Sequence, residues 1–452
     1  MQAAHYSVVQ GQSIDITAES ASPLDQATLT LNGVSVPVQV SGNKLTASVK
    51  TDHPGEYVFD LQCNGQHTWL KANVLIDPLA LVKARVKFIV EKQQVNLPGN
   101  PLDGAYVPYD NETNQQSYTD DTNHNEGRER LGMGVLVALY IPLCDDPSLK
   151  QELSDSLQKY ETFLQRELMD SGGLVYSQAL NKPVKPGEHP GHDSSRHGYN
   201  YPWMAHVHLA AYQVTHDKKY LDLYYKVLQA LYTKRGGASY YEIGMPMLDG
   251  LKALEAAGMH TEHDELLKMF SSHADTIAAR GAAYPKSEVN YEESIVGPGV
   301  QIELEMYLAT KNQVYLDSAK EQLVFLEAFN GQQPDYHLND IAIRHWDDFW
   351  FGKLRLFGDT LPQYWSTITA VAFDEYADAT GDESYRTRSK DIFLNNMCVF
   401  TPDGRGSCAF VYPAYLKPGG RGMPGNRLDP LANDQDWALV NWLTISNRHR
   451  SP

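Results

Sequence analysis

Acidic, basic and aromatic side chains follow one another without helical or strand periodicity in residues 344–353, Arg-His-Trp-Asp-Asp-Phe-Trp-Phe-Gly-Lys. Two adjacent carboxylates, Asp347 and Asp348, stand between Trp346 and Trp350, and a hydrophobic core has no need of such an arrangement. Carboxyl groups act as general acids and bases, and aromatic faces stack on the apolar faces of sugar rings. The segment therefore predicts a carbohydrate site. A buried ion-pair network that braces a long loop is the competing interpretation.

Other segments carry side chains of the same types. Residues 120–130 and 192–203 each lead into a predicted helix, and Glu293 stands in the first turn of another, where the helix dipole also favours an acid. The carboxylates expected on the active face are Asp121, Asp193, Glu293, Asp347 and Asp348. The predicted substrate-binding residues are His124, Arg128, Arg196, His197, Tyr201, Trp203, Arg344, His345, Trp346, Trp350, Lys353 and Tyr364.

These residue types suit the hydrolysis of a glycosidic bond beside a uronate. One carboxyl group protonates the leaving oxygen, and a second activates water or attacks the anomeric carbon. We expect Asp347 or Asp348 as one of them, with a carboxylate from another loop as the other. Arg196, Arg344 and Arg128 offer bidentate contacts to the uronate carboxylate, and Lys353 offers a point charge.

A polysaccharide lyase is the alternative enzyme. Such an enzyme breaks the bond beside a uronate by removing the C5 proton, which requires a cation or amide on the carboxylate and a histidine or tyrosine base. Arg196, His197, Asn200 and Tyr201 supply these groups in one cluster. A non-catalytic carbohydrate-binding protein also stays open, since it needs aromatic walls but no converging carboxylates.

The elements that position these groups are predominantly helical from about residue 75. Amphipathic helices alternate with helices that are apolar almost all round, which is typical of paired outer and inner helices. A Thr-x-Asp/Asn-x-x-Tyr repeat begins at Thr215, Thr310 and Thr380, and its Asp or Asn is a natural N-cap. About twelve helices, joined alternately by short turns and long loops, predict an (α/α)6 toroid of six helical hairpins. A superhelical repeat array is the competing architecture.

The first part of the chain has a different pattern. Short alternating segments separated by Asn-Gly and Pro-Gly turns predict a small N-terminal β-sandwich, and the Pro54–Phe59 stretch resembles bacterial immunoglobulin-like modules. We therefore expect a sandwich domain over residues 1–74 and a catalytic (α/α)6 domain over residues 75–452. The sequence thus predicts a mainly α protein with a small β domain.

The run from His345 to Trp350, together with Gly-Asp-Thr-Leu-Pro-Gln-Tyr-Trp-Ser at 358–366, resembles the six-hairpin glycosidases. It is most similar to the β-glucuronidases of glycoside hydrolase family 154, over residues 100–446. This resemblance implies removal of a glucuronic acid residue from a glycan or glycoside. The Trp-Arg-Gly motif of the related unsaturated glucuronyl hydrolases is missing, which argues against that activity.

Composition excludes several partners. The formal net charge of −18 is spread along the chain and repels nucleic acid and anionic lipid, and no apolar segment is long enough to span a membrane. No HxxxH or HExxH spacing supports a metal site, and we expect no metal and no cofactor. The expected partner is a carbohydrate that bears a uronate. The N-terminus has no basic region followed by an apolar run, so a signal peptide is either absent or already removed, and we expect a soluble protein that is cytoplasmic, periplasmic or secreted. The four cysteines do not decide the compartment, and the oligomeric state is left open.

Overall fold

The computed structural model describes residues 1–117, 131–176, 200–237, 240, 242–285, 292–342, 352–353, 360–411 and 427–450. Within these residues the chain forms strands up to Leu75 and is mainly helical from Pro78 onward. The division into two domains at residue 74 stays a prediction.

Nine strands of the N-terminal part form two sheets. One sheet has the order β1-β3-β7-β6 and the other β2-β9-β8-β4-β5. The strands are β1 Gln2–Ala3, β2 Ser7–Val9, β3 Ser13–Glu19, β4 Thr28–Leu31, β5 Val34–Val36, β6 Gln39–Ser41, β7 Lys44–Lys50, β8 Gly55–Cys63 and β9 Gln66–Leu75. Side chains alternate between core and solvent along β3 and β7, which places Ile14, Ile16 and Leu45 in the core between the sheets.

The turns of the sandwich follow from residue type. Asn32 and Gly33 have φ values of 49° and 83°, the left-handed pair that a two-residue hairpin turn requires. The alternating residues 35–40 predict one strand, yet the structure divides them into β5 and β6 around Pro37. Proline has no N–H to donate to a sheet ladder, so the strand is interrupted there.

Twelve α-helices occupy the described part of the remaining chain. The six that lie inside the ring are α2 Leu131–Tyr140, α4 Asn200–Thr215, α6 Met247–Ala256, α8 Glu293–Thr310, α10 Ser366–Thr380 and α12 Asp436–His449. The outer helices are α1 Pro78–Phe88, α3 Pro147–Phe163, α5 Lys218–Ala230, α7 His260–Arg280, α9 Gln313–Glu327 and α11 Glu383–Asn396. None of the helices described here is long and apolar enough to cross a bilayer.

The repeated Thr-x-Asp/Asn-x-x-Tyr motif forms the short turns between inner and outer helices. The Asp217, Asn312 and Asp382 side chains each accept a hydrogen bond from a backbone N–H of the following helix, which confirms their predicted role as N-caps. The second residue of each motif has a left-handed backbone, with φ values of 54° at His216, 59° at Lys311 and 79° at Gly381. One local turn is thus used three times around the ring.

The ring closes because α12 packs against both α10 and α2. Gly134 of α2 lies directly against the ring of Tyr160 of α3, where a Cβ would be 2.3 Å from Tyr160 Cε1, so the small residue permits the close inner-to-outer contact. The connections from an outer helix to the next inner helix are long, except the shorter ones before α6 and α8. The predicted (α/α)6 toroid with its N-terminal sheets is confirmed, and the long connections gather at the N-terminal ends of the inner helices.

The beginning of α10 differs from the prediction. Proline is common in the first turn of a helix, and Pro362 in front of an apolar helix predicts a helix start there. Thr360–Gln363 is instead a strand, β12, and α10 begins at Ser366. This strand pairs with β13, Ala409–Val411, which pairs in turn with β14, Arg427–Leu428. A second small sheet joins β10 Tyr109–Asp110, β11 Gln115–Gln116 and β15 Leu431–Ala432 on the same side of the ring.

A loop of the toroid completes the sandwich. Lys71 of β9 donates its N–H to the Pro334 carbonyl at 2.7 Å, and Tyr336 donates its N–H to the Lys71 carbonyl at 3.2 Å. The Tyr336 side chain is buried in the hydrophobic core of the sandwich. The loop between α9 and α10 therefore supplies both an extra strand segment and a core residue to the N-terminal sheets.

Glu303 is a carboxyl group sealed between α8 and α9, and it gives the fold a testable pH dependence. Its Oε2 accepts a hydrogen bond from Gln322 Nε2 at 2.9 Å, and burial raises its pKa to about 8. Because the folded protein binds this proton more tightly than the unfolded chain, stability is highest below the unfolded pKa and falls as pH rises toward 8. Between those limits we expect the free energy of unfolding to fall by about 1.4 kcal/mol per pH unit.

Glu303→Gln keeps the shape of the protonated side chain and should remove this slope, so that the variant is more stable than wild type at pH 8. Urea unfolding between pH 5.5 and pH 8 measures it. Glu255→Gln, at an exposed position of α6, is the matched control. Identical pH profiles for Glu303→Gln and wild type would contradict the assignment of a buried neutral carboxyl.

Candidate functional site

Buried polar side chains cluster where the inner helices begin. Asn200, Glu292, Glu293, Ser366, Asp434 and Asp436 stand at or next to the first residues of four inner helices, and each is at most 3% exposed. Helix N-termini present N–H groups without helical partners and a partial positive charge, so acids and amides are favoured there. We call this end of the ring, with the loops above it, the basin.

Glu293 links two inner helices. Its Oε1 accepts a hydrogen bond from Thr369 Oγ1 of α10 at 3.0 Å, and the side chain is 1% exposed. Next to it, Ser294 donates its hydroxyl to the carboxylate of Glu292. Glu293, expected as a catalytic carboxylate, therefore lies within the inner ring, and its catalytic role stays a prediction.

The start of α12 holds acids that the sequence analysis did not single out. Asp434 and Asp436 are each 1% exposed, and Asp436 receives two hydrogen bonds from Arg85 of α1, at 2.6 Å from Nε and 2.9 Å from Nη2. Asn-Asp-Gln-Asp in front of an apolar helix looks like ordinary capping, so only their burial distinguishes these residues. Asp434 adds a fourth buried acid to the basin.

Three aromatic side chains pack together next to these buried polar residues. The rings of Trp203 and Trp437 are 4.8 Å apart at an angle of 34°, and Tyr364 meets Trp203 edge-on at 6.3 Å. All three side chains line a narrow cavity along the ring axis, with a volume of about 40 Å³. Trp203 and Tyr364, both expected to form stacking walls, are brought together here with Trp437. Tyr201, also expected at the site, is completely buried in the first turn of α4.

The floor of the axial cavity is an ion cluster. Arg448 of α12 donates to Glu375 at 2.8 Å, to Asp249 at 3.1 Å and to Glu305 at 3.3 Å, which joins α6, α8, α10 and α12 at one point. Burial, with the adjacent Glu305 carboxylate, raises the pKa of Glu375 well above its usual range. Three acidic side chains thus face one guanidinium. Arg448 is thus already neutralised and is not available to bind an acidic sugar.

Polar atoms without partners face the same cavity. Within the described residues, His206 Nδ1, Trp437 Nε1 and Thr444 Oγ1 are buried and have no hydrogen-bond partner. Burial lowers the pKa of His206 to about 4, so this imidazole is neutral at physiological pH. His208, two residues further along α4, is instead hydrogen-bonded to Glu161 at 3.0 Å.

Lys353 is the one predicted cation that falls within the described residues. Its Nζ donates to Asp110 at 2.6 Å and to Glu112 at 2.7 Å, and its backbone N–H donates to Asp429 at 2.9 Å. These carboxylates raise its pKa. Lys353 therefore lies on the rim of the basin, and two of its three donors are already occupied.

The remaining predicted site residues lie outside the described residues. They are Asp121, His124, Arg128, Asp193, Arg196, His197, Arg344, His345, Trp346, Asp347, Asp348 and Trp350. Their roles stay predictions, and the buried helix starts described above mark where their loops enter the ring.

One group of possible metal ligands occurs at the opposite end of the ring. Asp374, Asp378 and His449 lie within reach of one ion. The Arg386 guanidinium stands among them, however, with Nη1 2.9 Å from Asp374 and 2.8 Å from His449, and Nη2 2.9 Å from Asp378. A cation already provided by the chain holds this cluster together.

Comparison with known proteins adds three findings. No family model matches the sequence, and no curated protein does. Among solved structures, the chain is similar to Polysaccharide Lyase BACCELL_00875, with a TM-score of 0.91 and 40% identity, over 99% of this chain and 65% of that one. The chain thus spans about two thirds of the length of that protein.

More distant structures share the fold alone. An unsaturated glucuronyl hydrolase specific for heparin has a TM-score of 0.51 at 12% identity, over 82% of this chain and 96% of its own. A family 76 glycoside hydrolase from a bovine Bacteroides thetaiotaomicron strain has a TM-score of 0.51 at 12% identity, over 99% of this chain and 98% of its own. The chain therefore shares the (α/α)6 toroid fold of these structures. The narrower resemblance to family 154 β-glucuronidases stays a prediction.

Proposed function

We propose that this protein is a polysaccharide lyase that cleaves a glycan beside a uronate by β-elimination. The observation that carries the proposal is the 40% identity to a polysaccharide lyase across 99% of this chain. The sequence analysis placed hydrolysis first, and this comparison favours its alternative.

The start of α4 provides suitable groups for elimination. Asn200 is buried at the first position of the helix, and its Oδ1 has no hydrogen-bond partner within the described residues. The Nδ2 donor of this amide, with the guanidinium of Arg196 four positions earlier in the sequence, would hold the uronate carboxylate and stabilise the negative charge that develops there. The positive end of the helix dipole acts in the same direction.

The reaction balances with protein groups alone. A base, His197 or Tyr201, takes the proton from C5, the C4–O bond breaks, and a double bond forms between C4 and C5. The leaving oxygen receives a proton from an acid in the basin. The products are a new chain end and an unsaturated uronate, so no water is consumed.

Hydrolysis is the second candidate, and the buried acids of the basin favour it. Glu292, Glu293 and Asp434 are buried at the starts of inner helices, and Asp347 and Asp348 would supply further carboxyl groups. A pair of these carboxyl groups would act as acid and as base or nucleophile.

One assay separates the two reactions. The protein is incubated with hyaluronan, unsulfated chondroitin, alginate and an aryl β-glucuronide, and the products are followed by ultraviolet absorbance and mass spectrometry. A lyase yields an absorbing product that is lighter by one water than the hydrolysis product. Release of saturated sugars or of the aglycone, with loss of that release in Asp347→Asn or Asp348→Asn, would instead establish the hydrolase.

A further inference from the structure

A separate cleft opens on the basin side of the ring, outside the axial cavity. It has a volume of about 500 Å³ and is bounded by residues 111–112, 399–407 and 428–430. Clefts of this size hold ligands of several hundred daltons. Its walls include the segment just before β15 and α12, so it adjoins the start of an inner helix.

Arg405 projects from one wall with its guanidinium held in place. Its Nη1 donates to Asn114 Oδ1 at 2.7 Å, its Nε donates to Asp403 Oδ2 at 3.2 Å, and the group lies 6.0 Å from the centre of the Phe88 ring. The side chain is 38% exposed, and within the described residues its Nη2 has no partner. An immobilised guanidinium with free N–H donors suits a carboxylate or a sulfate.

Asn111 supplies the complementary acceptor. Its Nδ2 donates to the Gly406 carbonyl at 2.7 Å, which fixes the orientation of the amide. Its Oδ1 is buried and has no hydrogen-bond partner within the described residues, although the side chain lines the cleft. A buried acceptor of this kind calls for a donor, and a sugar hydroxyl is one. The Arg405 guanidinium suits an anionic group and Asn111 Oδ1 suits a hydroxyl group, and an acidic sugar carries both.

The cleft is joined to the basin through Asp429. Asp429 lines the cleft, and its Oδ1 accepts hydrogen bonds from the backbone N–H of Lys353 at 2.9 Å and of Leu431 at 2.8 Å. Asp434 follows five residues later at the start of α12. A glycan chain that leaves the basin can therefore continue into the cleft.

From these contacts we infer that the cleft is a distal subsite for an acidic sugar of the substrate chain. Arg405 binds its carboxylate or sulfate, and Asn111 accepts one of its hydroxyl groups. The inference rests on the proposed action on a uronate polysaccharide, but it concerns binding away from the bond that reacts.

Arg405→Gln tests the subsite, with Arg450→Gln as the control. Arg450 is an exposed arginine after the last residue of α12, at the opposite end of the ring. Calorimetric affinity and steady-state kinetics are measured with long and short oligosaccharides of hyaluronan and of unsulfated and sulfated chondroitin, and with dextran as a neutral probe. Arg405→Gln should weaken binding and raise KM for long acidic chains about tenfold. The kcat, and the KM for the shortest substrate that is cleaved, should not change.

The outcomes separate this inference from the proposed function. Unsaturated product with unchanged affinity in Arg405→Gln overturns the subsite and leaves the lyase intact. Weaker binding without unsaturated product supports the subsite and overturns the lyase. An equal loss in Arg450→Gln, or an equal loss for short and long chains, overturns the subsite, as does failure of every acidic chain to bind. A loss confined to sulfated chondroitin identifies sulfate as the bound group, and a loss on the unsulfated chain identifies the carboxylate.

Discussion

His197→Ala should lower kcat for elimination by about 10²–10⁴-fold, the usual contribution of a positioned general base. The residue stands three positions before α4, where Asn200 and Tyr201 enter the ring. The melting temperature should stay close to that of wild type, because the substitution removes a reacting group and no buried contact that the structure describes. Both quantities are measured on the same preparation. His260→Ala, at an exposed helix start on the opposite side of the ring, is the control.

Tyr201→Phe distinguishes the two candidate bases. Tyr201 is completely buried, so its hydroxyl reaches a substrate only if the substrate penetrates the first turn of α4. If His197 is the base, the phenylalanine variant retains most of its activity. Near-normal kcat in His197→Ala, with a large loss in Tyr201→Phe, would transfer the role to the tyrosine. Near-normal kcat in both variants would show that neither His197 nor Tyr201 is the catalytic base.

Arg85→Ala should reduce the free energy of unfolding by about 3–5 kcal/mol, because it leaves the buried Asp436 carboxylate without its charge partner. Arg85 is fully buried, and besides Asp436 it donates to the Gly404 carbonyl at 3.1 Å and to Gln93 at 2.6 Å. The substitution therefore leaves three acceptors unsatisfied at once. Urea unfolding at neutral pH measures the loss.

Two further variants test whether the loss of stability comes from the buried ion pair. Arg450→Ala removes an exposed arginine and should change stability by less than about 0.5 kcal/mol. Arg85→Met combined with Asp436→Leu replaces both charges by apolar groups and should cost less than Arg85→Ala alone. A loss below about 1 kcal/mol for Arg85→Ala would show that the ion pair does not hold α12 in place.

Much of the fold could be predicted because its signals are local. Asp and Asn are common N-cap residues, so Asp217, Asn312 and Asp382 predict the starts of the helices that follow them. The observed N-cap hydrogen bonds agree with this prediction. The start of α10 could not be predicted, since Thr360–Gln363 becomes a strand only by pairing with Ala409–Val411. A pairing partner some fifty residues away does not change the local hydrophobic periodicity from which a strand is predicted.

The candidate site was predicted less completely, for a related reason. Loop residues such as Lys353 and ring residues such as Trp203 can be predicted as site residues, because their side-chain types and their neighbours in sequence suit a carbohydrate site. The cluster around Arg448 does not, because Asp249 precedes it by 199 residues and each acid looks like an ordinary helix residue. Asp434 is inconspicuous for the same reason. Convergence of distant helices is visible only in three dimensions.

The contribution of Tyr336 to the sandwich core bears on the order in which the chain folds during synthesis. The nine strands of the sandwich leave the ribosome before the helical ring, yet this core residue and the strand segment beside Lys71 are made roughly 260 residues later. Until then the nascent sandwich keeps an open sheet edge at Lys71 and a gap in its core. Its final consolidation therefore waits until α9, the ninth of the twelve helices, has been translated.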